Sequence, residues 1–490
     1  MNAPLVWRVL RAEGVAAVAE RLRDRLAEAR RRRSFRPAKA PPAGFSCAVL
    51  NLAATAPAPR LGGVQAQLRW RLAAEAERRP VALLYREPAS AGGGFRLELQ
   101  AGGDRRALRW PPDGDLGRQP RGDFKPLAAT ALTDPRLERA VAWAAACCGA
   151  TTVQVEGLAG MPLASLLRLR QAAGLRLVLA IHDFAAFCPR PHLLESPAPP
   201  APPRFCHYSR DSLRCERCLG RDFAGLPPGY QEERRELARQ LLASADAVIY
   251  PSTFLSKAHD ELFAGAGRAV ARVIAPAAAG THPAPARSVR PGPPRHVAWV
   301  GAVQPHKGAL VFAAAVERLA AAGRRLRFSA YGGGDREILA RWRRLPGLRV
   351  RGYYRAGSLP ALLRRDRVDL ALLLSVVPES YGLALDECNV AGVPVVAFDL
   401  GAPAERIVAA GSGLLLAAPL ADDPAAAGAA LAILLEDLLD GRLDLPPATA
   451  LPHPPDPAEA PGAAAATLAA WLGIYRELGL LENQPPPRGG

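Results

Sequence analysis

The stretch VDLALLLSVVPESYGLALDECNVAGVPVVAF, residues 368–398, has the pattern of a strand, a helix and a second strand. It opens on an apolar run typical of a buried strand, continues with a segment of helical spacing that ends at Gly392, and closes on a second apolar run, VPVVAF. A strand, a helix and a strand in this order predict a βαβ unit of a parallel sheet. Glu379 then lies in the loop at the carboxyl end of the first strand, and Glu387 lies in the helix.

The same alternation of strands and helices extends on both sides of this unit. Between residues 296 and 416 the apolar runs HVAWVG, LRFSAYG, LRVRGY and GLLLA alternate with helical segments. Between residues 45 and 250 the runs AVLNLA, VALL, VQV, LRLVLAI and AVIY do so again. We therefore predict an α/β protein of two Rossmann-like, parallel-sheet domains that face each other across a cleft.

Changes in composition predict the domain boundaries. Residues 276–295 are rich in proline and have almost no large apolar side chains, which is typical of a linker. The predicted divisions are a basic N-terminal extension (1–44), an N-terminal domain (45–275), the linker (276–295), a C-terminal domain (296–420), and an Ala/Pro-rich segment with a final helix and tail (421–490).

The overall composition is that of a globular protein with an anionic partner. Hydrophobic residues make up 49% of the 490 residues, yet no uninterrupted apolar run is long enough to predict a membrane span. The formal charge of +17 favours phosphate-bearing ligands or an anionic membrane surface. We expect no nucleic-acid partner, because the basic stretches lack interleaved aromatic residues that stack on bases. Without a recognisable secretion signal, the expected location is cytoplasmic.

Residues 1–36 have the pattern of a basic amphipathic helix. Apolar residues recur at helical spacing with arginines between them, and the segment ends near the run Arg30 to Arg33. Such a helix can lie on an anionic surface, which would place the protein peripherally on the inner face of the membrane. A helix that packs on its own domain and leaves its arginines in water has the same pattern, and both interpretations stay open.

Glu379 and Glu387 flank the first turn of the predicted helix. Backbone N–H groups in that turn lack partners within the helix, and the helix dipole adds partial positive charge, so the turn favours a phosphate. The two carboxylates can each accept hydrogen bonds from a pair of hydroxyl groups. The arrangement suits a sugar joined through a diphosphate to a ribose, which is a nucleotide-sugar donor.

The C-terminal half resembles the retaining glycosyltransferases of family 4. The resemblance rests on the E-x7-E spacing of Glu379 and Glu387, and it extends from about residue 45 to residue 416. It implies the GT-B fold and a sugar transfer without a catalytic metal. The other matching segments are VGAVQPHKG (300–308), YGGGD (331–335), VRGYY (350–354) and AGVPVVAFDLGAPAERI (391–407).

The resemblance implies a role for each matched residue. Glu379 is a catalytic residue that contacts the transferred sugar, Glu387 binds the ribose, and Lys307 acts in catalysis through the diphosphate. Ala302 departs from the family pattern, which often has an arginine there beside the lysine, so either another basic residue replaces it or activity is weakened. The remaining donor-binding residues are Gly62, Gly63, Gly301, Ser380, Tyr381, Gly382 and Leu383.

The N-terminal half contributes one further catalytic residue. The segment LRLVLAIHDFAAFCPRPHLL, residues 175–194, resembles the part of the family in which a strand ends in His-Asp on the acceptor side of the cleft. The resemblance makes His182 a contact of the transferred sugar or of the acceptor. The alternative is a structural histidine that is hydrogen-bonded at the strand end.

Four cysteines lie in a short insert, residues 188–218. Cys188, Cys206, Cys215 and Cys218 are the number of soft ligands that a structural zinc requires, and the last two form a CxxC pair. A subgroup of the family has the same HDF…CPR…C…CxxC pattern. Free thiols or a redox pair are the alternatives.

The sequence as a whole predicts a retaining glycosyltransferase of polysaccharide biosynthesis at the cell envelope. Its expected partners are a nucleotide-sugar donor and a glycan or lipid-linked acceptor, and no cofactor is expected in catalysis. Two alternatives stay open: a nucleotide-sugar epimerase of the same fold, and an inactive GT-B scaffold that binds glycan or a partner enzyme.

Overall fold

The computed structural model describes two compact units of this chain. The N-terminal unit consists of Ala29–Pro191, Tyr208–Pro276 and Ala465–Gly490, and the C-terminal unit consists of Met1–Glu28, His192–His207 and Ala277–Ala464. The structure describes all residues except 1–6, 8, 12, 14, 58–62, 88–93, 111–129, 196–202, 224, 265–269, 278–291, 356, 447–460 and 482–490.

The strands carry the architecture of both units. In chain order they are β1 (Arg36–Pro37), β2 (Val49–Ala53), β3 (Val81–Arg86), β4 (Phe95–Ala101), β5 (Asp104–Trp110), β6 (Thr152–Glu156), β7 (Arg176–Ala180), β8 (Leu194–Glu195), β9 (Arg204–Phe205), β10 (Ala247–Tyr250), β11 (Ala271–Val273), β12 (His296–Val300), β13 (Arg327–Tyr331), β14 (Leu348–Gly352), β15 (Leu370–Leu373), β16 (Val395–Phe398) and β17 (Gly413–Leu416).

Helices follow most of these strands. They are α1 (Val15–Ser34), α2 (Gly63–Ala76), α3 (Pro135–Cys148), α4 (Leu163–Ala172), α5 (Ser212–Gly220), α6 (Tyr230–Ser244), α7 (Thr253–Leu262), α8 (Ala309–Ala321), α9 (Arg336–Trp342), α10 (Leu359–Asp366), α11 (Leu383–Ala391), α12 (Gly401–Ala410), α13 (Pro424–Leu439) and α14 (Pro461–Glu477). Short 3₁₀ turns occupy Pro305–Lys307 and Ala418–Asp422.

Each unit is built on a sheet that is mainly parallel. The C-terminal sheet has the order β14-β13-β12-β15-β16-β17, and every pairing in it is parallel. The N-terminal sheet has the order β1-β5-β4-β3-β2-β6-β7-β10-β11. The strands β2, β6, β12, β15 and β16 are buried along their whole length, as expected for strands of a parallel sheet covered on both faces. The predicted α/β class is therefore confirmed.

The sequence did not predict the antiparallel edge of the N-terminal sheet. Strands β4 and β5 form a hairpin, and β4 pairs antiparallel with β3. The turn between them contains Gly102 at φ 55°. In hindsight the alternation of FRLELQ (95–100) is a strand signal, since apolar and polar residues exchange at every position.

The units divide the chain differently from the domains expected from composition. Residues 1–28 cluster with the C-terminal unit, while α14 from residue 465 onward belongs to the N-terminal unit. Most of the expected linker, residues 276–295, and the expected tail from residue 482 lie outside the described residues. Among the helices that the structure describes, none is both long and apolar enough to cross a membrane.

The N-terminal segment is attached to the C-terminal unit by polar contacts. Glu13 is 4% exposed, and its carboxylate accepts hydrogen bonds from the Tyr353 backbone N–H at 3.1 Å and from Arg21 at 2.7 Å. The hydroxyl of Tyr353 donates to Asp24, which is also buried. Burial raises the pKa of Glu13, against the opposing effect of Arg21. A side chain at Gly333 would overlap the Glu13 carboxylate, so the two segments fit closely.

Part of the apolar stripe of this segment is exposed. The exposed fractions are 72% for Val15, 41% for Leu22 and 59% for Leu26, and Trp7 is 61% exposed. The inner face carries Val9, Glu13, Ala17 and Asp24. Among the described residues the stripe therefore has a buried part at Val9 and an exposed part at Val15, Leu22 and Leu26.

A buried network of charges connects the N-terminal sheet to α2 and α14. Arg71 is 3% exposed and forms ion pairs with Glu75 and Glu156. It also donates to the Asn51 side chain at 2.8 Å and to the Tyr475 hydroxyl at 3.1 Å. Since a buried carboxylate without its cation is costly, this arginine holds three chain segments together.

We predict that Arg71→Met destabilises the protein by about 3–5 kcal/mol, because Glu75 and Glu156 lose the cation that compensates their burial. The measurement is the urea-induced unfolding of the full chain. The matched control is Arg139→Met, an exposed arginine on α3 whose loss should cost less than about 0.5 kcal/mol. Equal stabilities of the two variants would contradict the role given to the network.

Candidate functional site

Glu379 is held at the carboxyl end of β15 by backbone contacts on both sides. Before it, the Val376 N–H donates to the His306 carbonyl at 3.0 Å. After it, the Glu379 carbonyl accepts from the Ala402 N–H at 2.9 Å. The loop is therefore fixed between the turn that contains Lys307 and the start of α12. In an open parallel sheet this edge is where ligands bind.

Lys307 reaches the same edge from the neighbouring strand. It ends the 3₁₀ turn Pro305–Lys307 that follows β12, and β12 pairs with β15. The next residue, Gly308, has φ 78°, and a Cβ there would overlap the Leu374 carbonyl oxygen, so only glycine permits this close approach. The structure thus brings together two residues that are 72 positions apart in sequence.

Lys307 and Glu379 form an ion pair. The Lys307 Nζ lies 2.8 Å from Glu379 Oε1, and the two side chains are 27% and 25% exposed. A pair with this much solvent contact contributes only about 0.2–1 kcal/mol. An anion that offers Lys307 a better partner can therefore separate the two side chains.

The loop between Glu379 and α11 is shaped by Gly382 and Arg406. Gly382 has φ 82° and lies directly before the helix, against the ring of Pro403. Arg406 donates to the Tyr381 carbonyl at 3.1 Å, lies over the Tyr381 ring, and forms an ion pair with buried Asp386. Sequence analysis did not single out Arg406 or Asp386. They hold the first turn of α11 in place through contacts that no local pattern reveals.

Glu387 is more enclosed than expected. Its carboxylate is partly buried in α11 and accepts the Gly357 backbone N–H at 2.9 Å. Burial raises the pKa of Glu387 to about 7, and neighbouring Asp386 adds to the rise while the N–H groups of residues 357 and 359 oppose it. Near neutral pH Glu387 therefore exists in both protonation states.

His182 lies in the N-terminal unit, just after β7. It is 18% exposed, and its Nε2 lies 4.0 Å from Glu156 Oε2 at the end of β6. Burial alone would raise the pKa of Glu156, but Arg71 and His182 hold it below its ordinary value. Glu156 was missed from the sequence, although Gln154 and Glu156 are polar residues inside a buried strand and so were a usable signal.

The remaining predicted donor residues fall at strand ends and helix starts. Gly301 follows β12, and its N–H donates to the Tyr331 carbonyl at 3.0 Å. Ser380 is partly buried beside Glu379, and Leu383 is the first residue of α11. Gly63 is the first residue of α2, whereas Gly62 lies outside the described residues.

The four cysteines of the insert, Cys188, Cys206, Cys215 and Cys218, are partly buried thiols. In the part of the chain that the structure describes, no three His, Cys, Asp or Glu side chains are grouped so as to hold a metal ion. Cys215 accepts a hydrogen bond from Arg235 at 3.5 Å. The structural zinc stays a prediction from the sequence.

Comparison with known proteins identifies the fold. Residues 294–437 match the family described as Glycosyl transferases group 1. Sucrose-phosphate synthase from Thermosynechococcus elongatus is similar in structure, with a TM-score of 0.56 and 18% identity over 88% of this chain and 99% of that one. A glycosyltransferase from Rickettsia africae ESF-5 has a TM-score of 0.51 and 12% identity over 89% of this chain and 99% of that one. No curated protein matches the sequence. With two α/β units on largely parallel sheets, the fold is GT-B.

We predict that Glu387 makes stability fall as pH rises. Its folded-state pKa of about 7 lies above the usual 4.5, so the folded protein keeps a proton that the unfolded chain loses. The free energy of unfolding should drop by up to about 3 kcal/mol between pH 4.5 and pH 7 and then level off.

The measurement is the unfolding free energy at several pH values between 5 and 8 for the wild type and for Glu387→Gln. The unfolding free energy of the wild type should fall relative to that of Glu387→Gln as pH rises towards 7, because the amide resembles the protonated carboxyl and does not titrate. Glu337→Gln, at an exposed glutamate of α9, is the control and should track the wild type. Parallel pH profiles for wild type and Glu387→Gln would show that the pKa of Glu387 is ordinary.

Proposed function

We propose that this protein is a retaining glycosyltransferase that moves a sugar from a nucleotide-diphosphate sugar to a hydroxyl group of a glycan or lipid-linked acceptor. The observation that carries the proposal is the Lys307–Glu379 pair at the carboxyl ends of β12 and β15, inside the segment that matches the glycosyl transferase family. A sugar diphosphate requires a cation for its phosphates and a carboxylate for its sugar hydroxyl groups, and both kinds of side chain lie at this sheet edge.

Donor binding would exchange partners within this pair. The diphosphate takes Lys307, and Glu379 is released to accept hydrogen bonds from the hydroxyl groups of the sugar. The exchange is favourable because a hydrogen bond between charged groups contributes about 1.5–3 kcal/mol, more than the partly exposed ion pair that it replaces. The backbone amides of Ser380 to Leu383, which lead into α11, would face the phosphates.

The transfer step breaks the bond between the anomeric carbon of the sugar and the diphosphate oxygen. The bonding electrons leave with the diphosphate, and Lys307 stabilises the negative charge that develops there, so no catalytic metal is invoked. The acceptor oxygen attacks from the same face, and its proton passes to the departing phosphate oxygen. The configuration at the anomeric carbon is retained.

Two further residues support this chemistry. Glu387 is assigned to the hydroxyl groups of the ribose, for which either protonation state keeps an acceptor oxygen. His182 is assigned to the transferred sugar or the acceptor, and Glu156 restricts its ring through the contact at 4.0 Å. The acceptor class is proposed from the resemblance of the sequence to the family.

The N-terminal segment supports a location on the cytoplasmic face of a membrane. Val15, Leu22 and Leu26 form an exposed apolar stripe of α1, and exposed arginines such as Arg23 and Arg30 lie on the same helix. Each basic residue near an anionic surface contributes about 1 kcal/mol. A peripheral enzyme would meet a lipid-linked acceptor at this surface.

We predict that Lys307→Ala lowers the affinity for the nucleoside diphosphate of the true donor by about 10- to 100-fold, since one charge-assisted contact is lost. Glu379→Gln should not lower that affinity, because it removes the competitor for Lys307, but it should abolish transfer. Titration calorimetry with UDP, GDP and ADP gives the affinities, and release of nucleoside diphosphate from the matching sugar nucleotides gives the activity.

Lys257→Ala provides the matched control, since Lys257 is an exposed lysine on α7. It should leave both the affinity and the activity unchanged. If Lys307→Ala binds the nucleotide as the wild type does, the assignment of the donor site is wrong. Conversion of the donor to a second nucleotide sugar without any acceptor would indicate an epimerase instead.

We predict that the double variant Leu22→Ser/Leu26→Ser binds anionic vesicles at least about tenfold more weakly than the wild type, because two exposed apolar side chains no longer enter the interface. Binding should also weaken with salt, since the Debye length is only about 8 Å at physiological ionic strength. Co-sedimentation with vesicles of phosphatidylserine and phosphatidylcholine measures this, with pure phosphatidylcholine as the neutral reference.

Point variants are preferable to truncation here, because removing residues 1–28 would also remove buried Glu13 and Asp24. Leu213→Ser is the control, since Leu213 is 65% exposed on α5 and lies outside the stripe. If the double variant and the control sediment with anionic vesicles as well as the wild type does, α1 is not the membrane-binding surface.

A further inference from the structure

Two histidines form a stacked pair next to Lys307. The rings of His192 and His306 have centroids 4.6 Å apart and planes inclined by only 9°. His306 immediately precedes Lys307 in the 3₁₀ turn, and its carbonyl accepts the Val376 N–H of the Glu379 loop. His192 comes from His192–His207, a separate segment of the C-terminal unit. The sequence did not associate either ring with the donor.

The positive charge next to this pair is that of Lys307. Burial, and after it His192 and Lys307, lower the pKa of His306 to about 3, so near neutral pH the ring is uncharged and keeps an N–H donor. The carboxylate that compensates Lys307 is Glu379, at 2.8 Å. If a sugar takes Glu379 away, the turn is left with Lys307 and two imidazole rings, which is an environment that attracts an anion.

One lysine does not neutralise the diphosphate of the proposed donor. The diphosphate of a nucleotide sugar carries two negative charges, and Lys307 supplies one positive charge. Position 302, at the end of β12, is an exposed alanine and supplies none. His306 precedes Lys307 in the turn and His192 stacks on His306, so two imidazole rings lie near Lys307.

We propose that His192 and His306 are part of the diphosphate site, where their ring N–H groups donate hydrogen bonds to the phosphate oxygens beside Lys307. The inference rests on the proposed function and deepens it. The stack places both rings beside the turn that carries Lys307, so their N–H groups can contribute to an anion site there. A phosphate in that site also favours protonation of a ring, which adds charge where it is required.

A purely structural pair would have a different signature. In that case the stack attaches His192–His207 to the turn at Pro305–Lys307, and removing one ring would weaken every ligand or the fold itself. In a diphosphate site, removing the exposed ring of His192 weakens the ligands that carry phosphate and spares the parent nucleoside. The two roles are therefore distinguished by whether removing the His192 ring weakens only the phosphate-bearing ligands or weakens the nucleoside as well.

The test is titration calorimetry of the full-length protein. The wild type is titrated with UDP, GDP and ADP, and the tightest ligand and its parent nucleoside are then titrated into the variants. His192→Ala should lower the affinity for the diphosphate by about three- to tenfold, as expected for one lost hydrogen bond, and change nucleoside affinity less than about twofold. Ala302→Arg in the His192→Ala background should restore most of the diphosphate affinity.

His207→Ala is the matched control, since His207 is 58% exposed on the same segment and pairs with Asp422 rather than with the turn. It should bind the diphosphate as the wild type does. Wild-type affinity in His192→Ala overturns the inference, and so does an equal loss for diphosphate and nucleoside. If the wild type itself binds none of the three diphosphates, the proposed function fails and the role of the pair fails with it.

Discussion

The ion pair between Lys307 and Glu379 is the interaction on which the proposed site depends. It joins loops that follow two paired strands, β12 and β15, and it exists because Gly308 lets the Lys307 turn approach the Leu374 carbonyl. Both side chains keep about a quarter of their surface in water. The pair is therefore weak enough to be exchanged for a ligand and close enough to keep each side chain in position before the ligand arrives.

Buried ion pairs and hydrogen bonds hold the other residues of the proposed site in fixed positions. Asp386 and Arg406 hold the first turn of α11, and Glu387 accepts the Gly357 N–H from a neighbouring loop. In the N-terminal unit the buried ion pairs of Arg71 hold Glu156 beside His182. Breaking a buried ion pair costs more free energy than breaking the partly exposed Lys307–Glu379 pair. We therefore expect the buried residues to stay in place on ligand binding and Lys307 and Glu379 to move.

Local patterns in the sequence were sufficient for the fold and for the position of Glu379 at the sheet edge. Apolar runs of strand length predicted β12, β15 and β16, and the loop position of Glu379 followed from the end of β15, whereas Lys307 was named from the family resemblance. Lys307 had a further signal, since the chain has only the lysines 39, 125, 257 and 307 among its many arginines. The burial of Glu387, the attachment of Glu13 to Tyr353 and the stacking of His192 on His306 depend on contacts between distant segments. No periodicity within one segment encodes such contacts, so the sequence could not reveal them.

The most direct test is a crystal structure of the full chain with the nucleoside diphosphate that binds most tightly. We expect Lys307 Nζ to leave Glu379 and to lie within about 3 Å of a phosphate oxygen, with the diphosphate at the first turn of α11. The Glu379 carboxylate should then face the position of the sugar. A nucleotide bound elsewhere, with the Lys307–Glu379 contact still at 2.8 Å, would show that this pair is not the donor site.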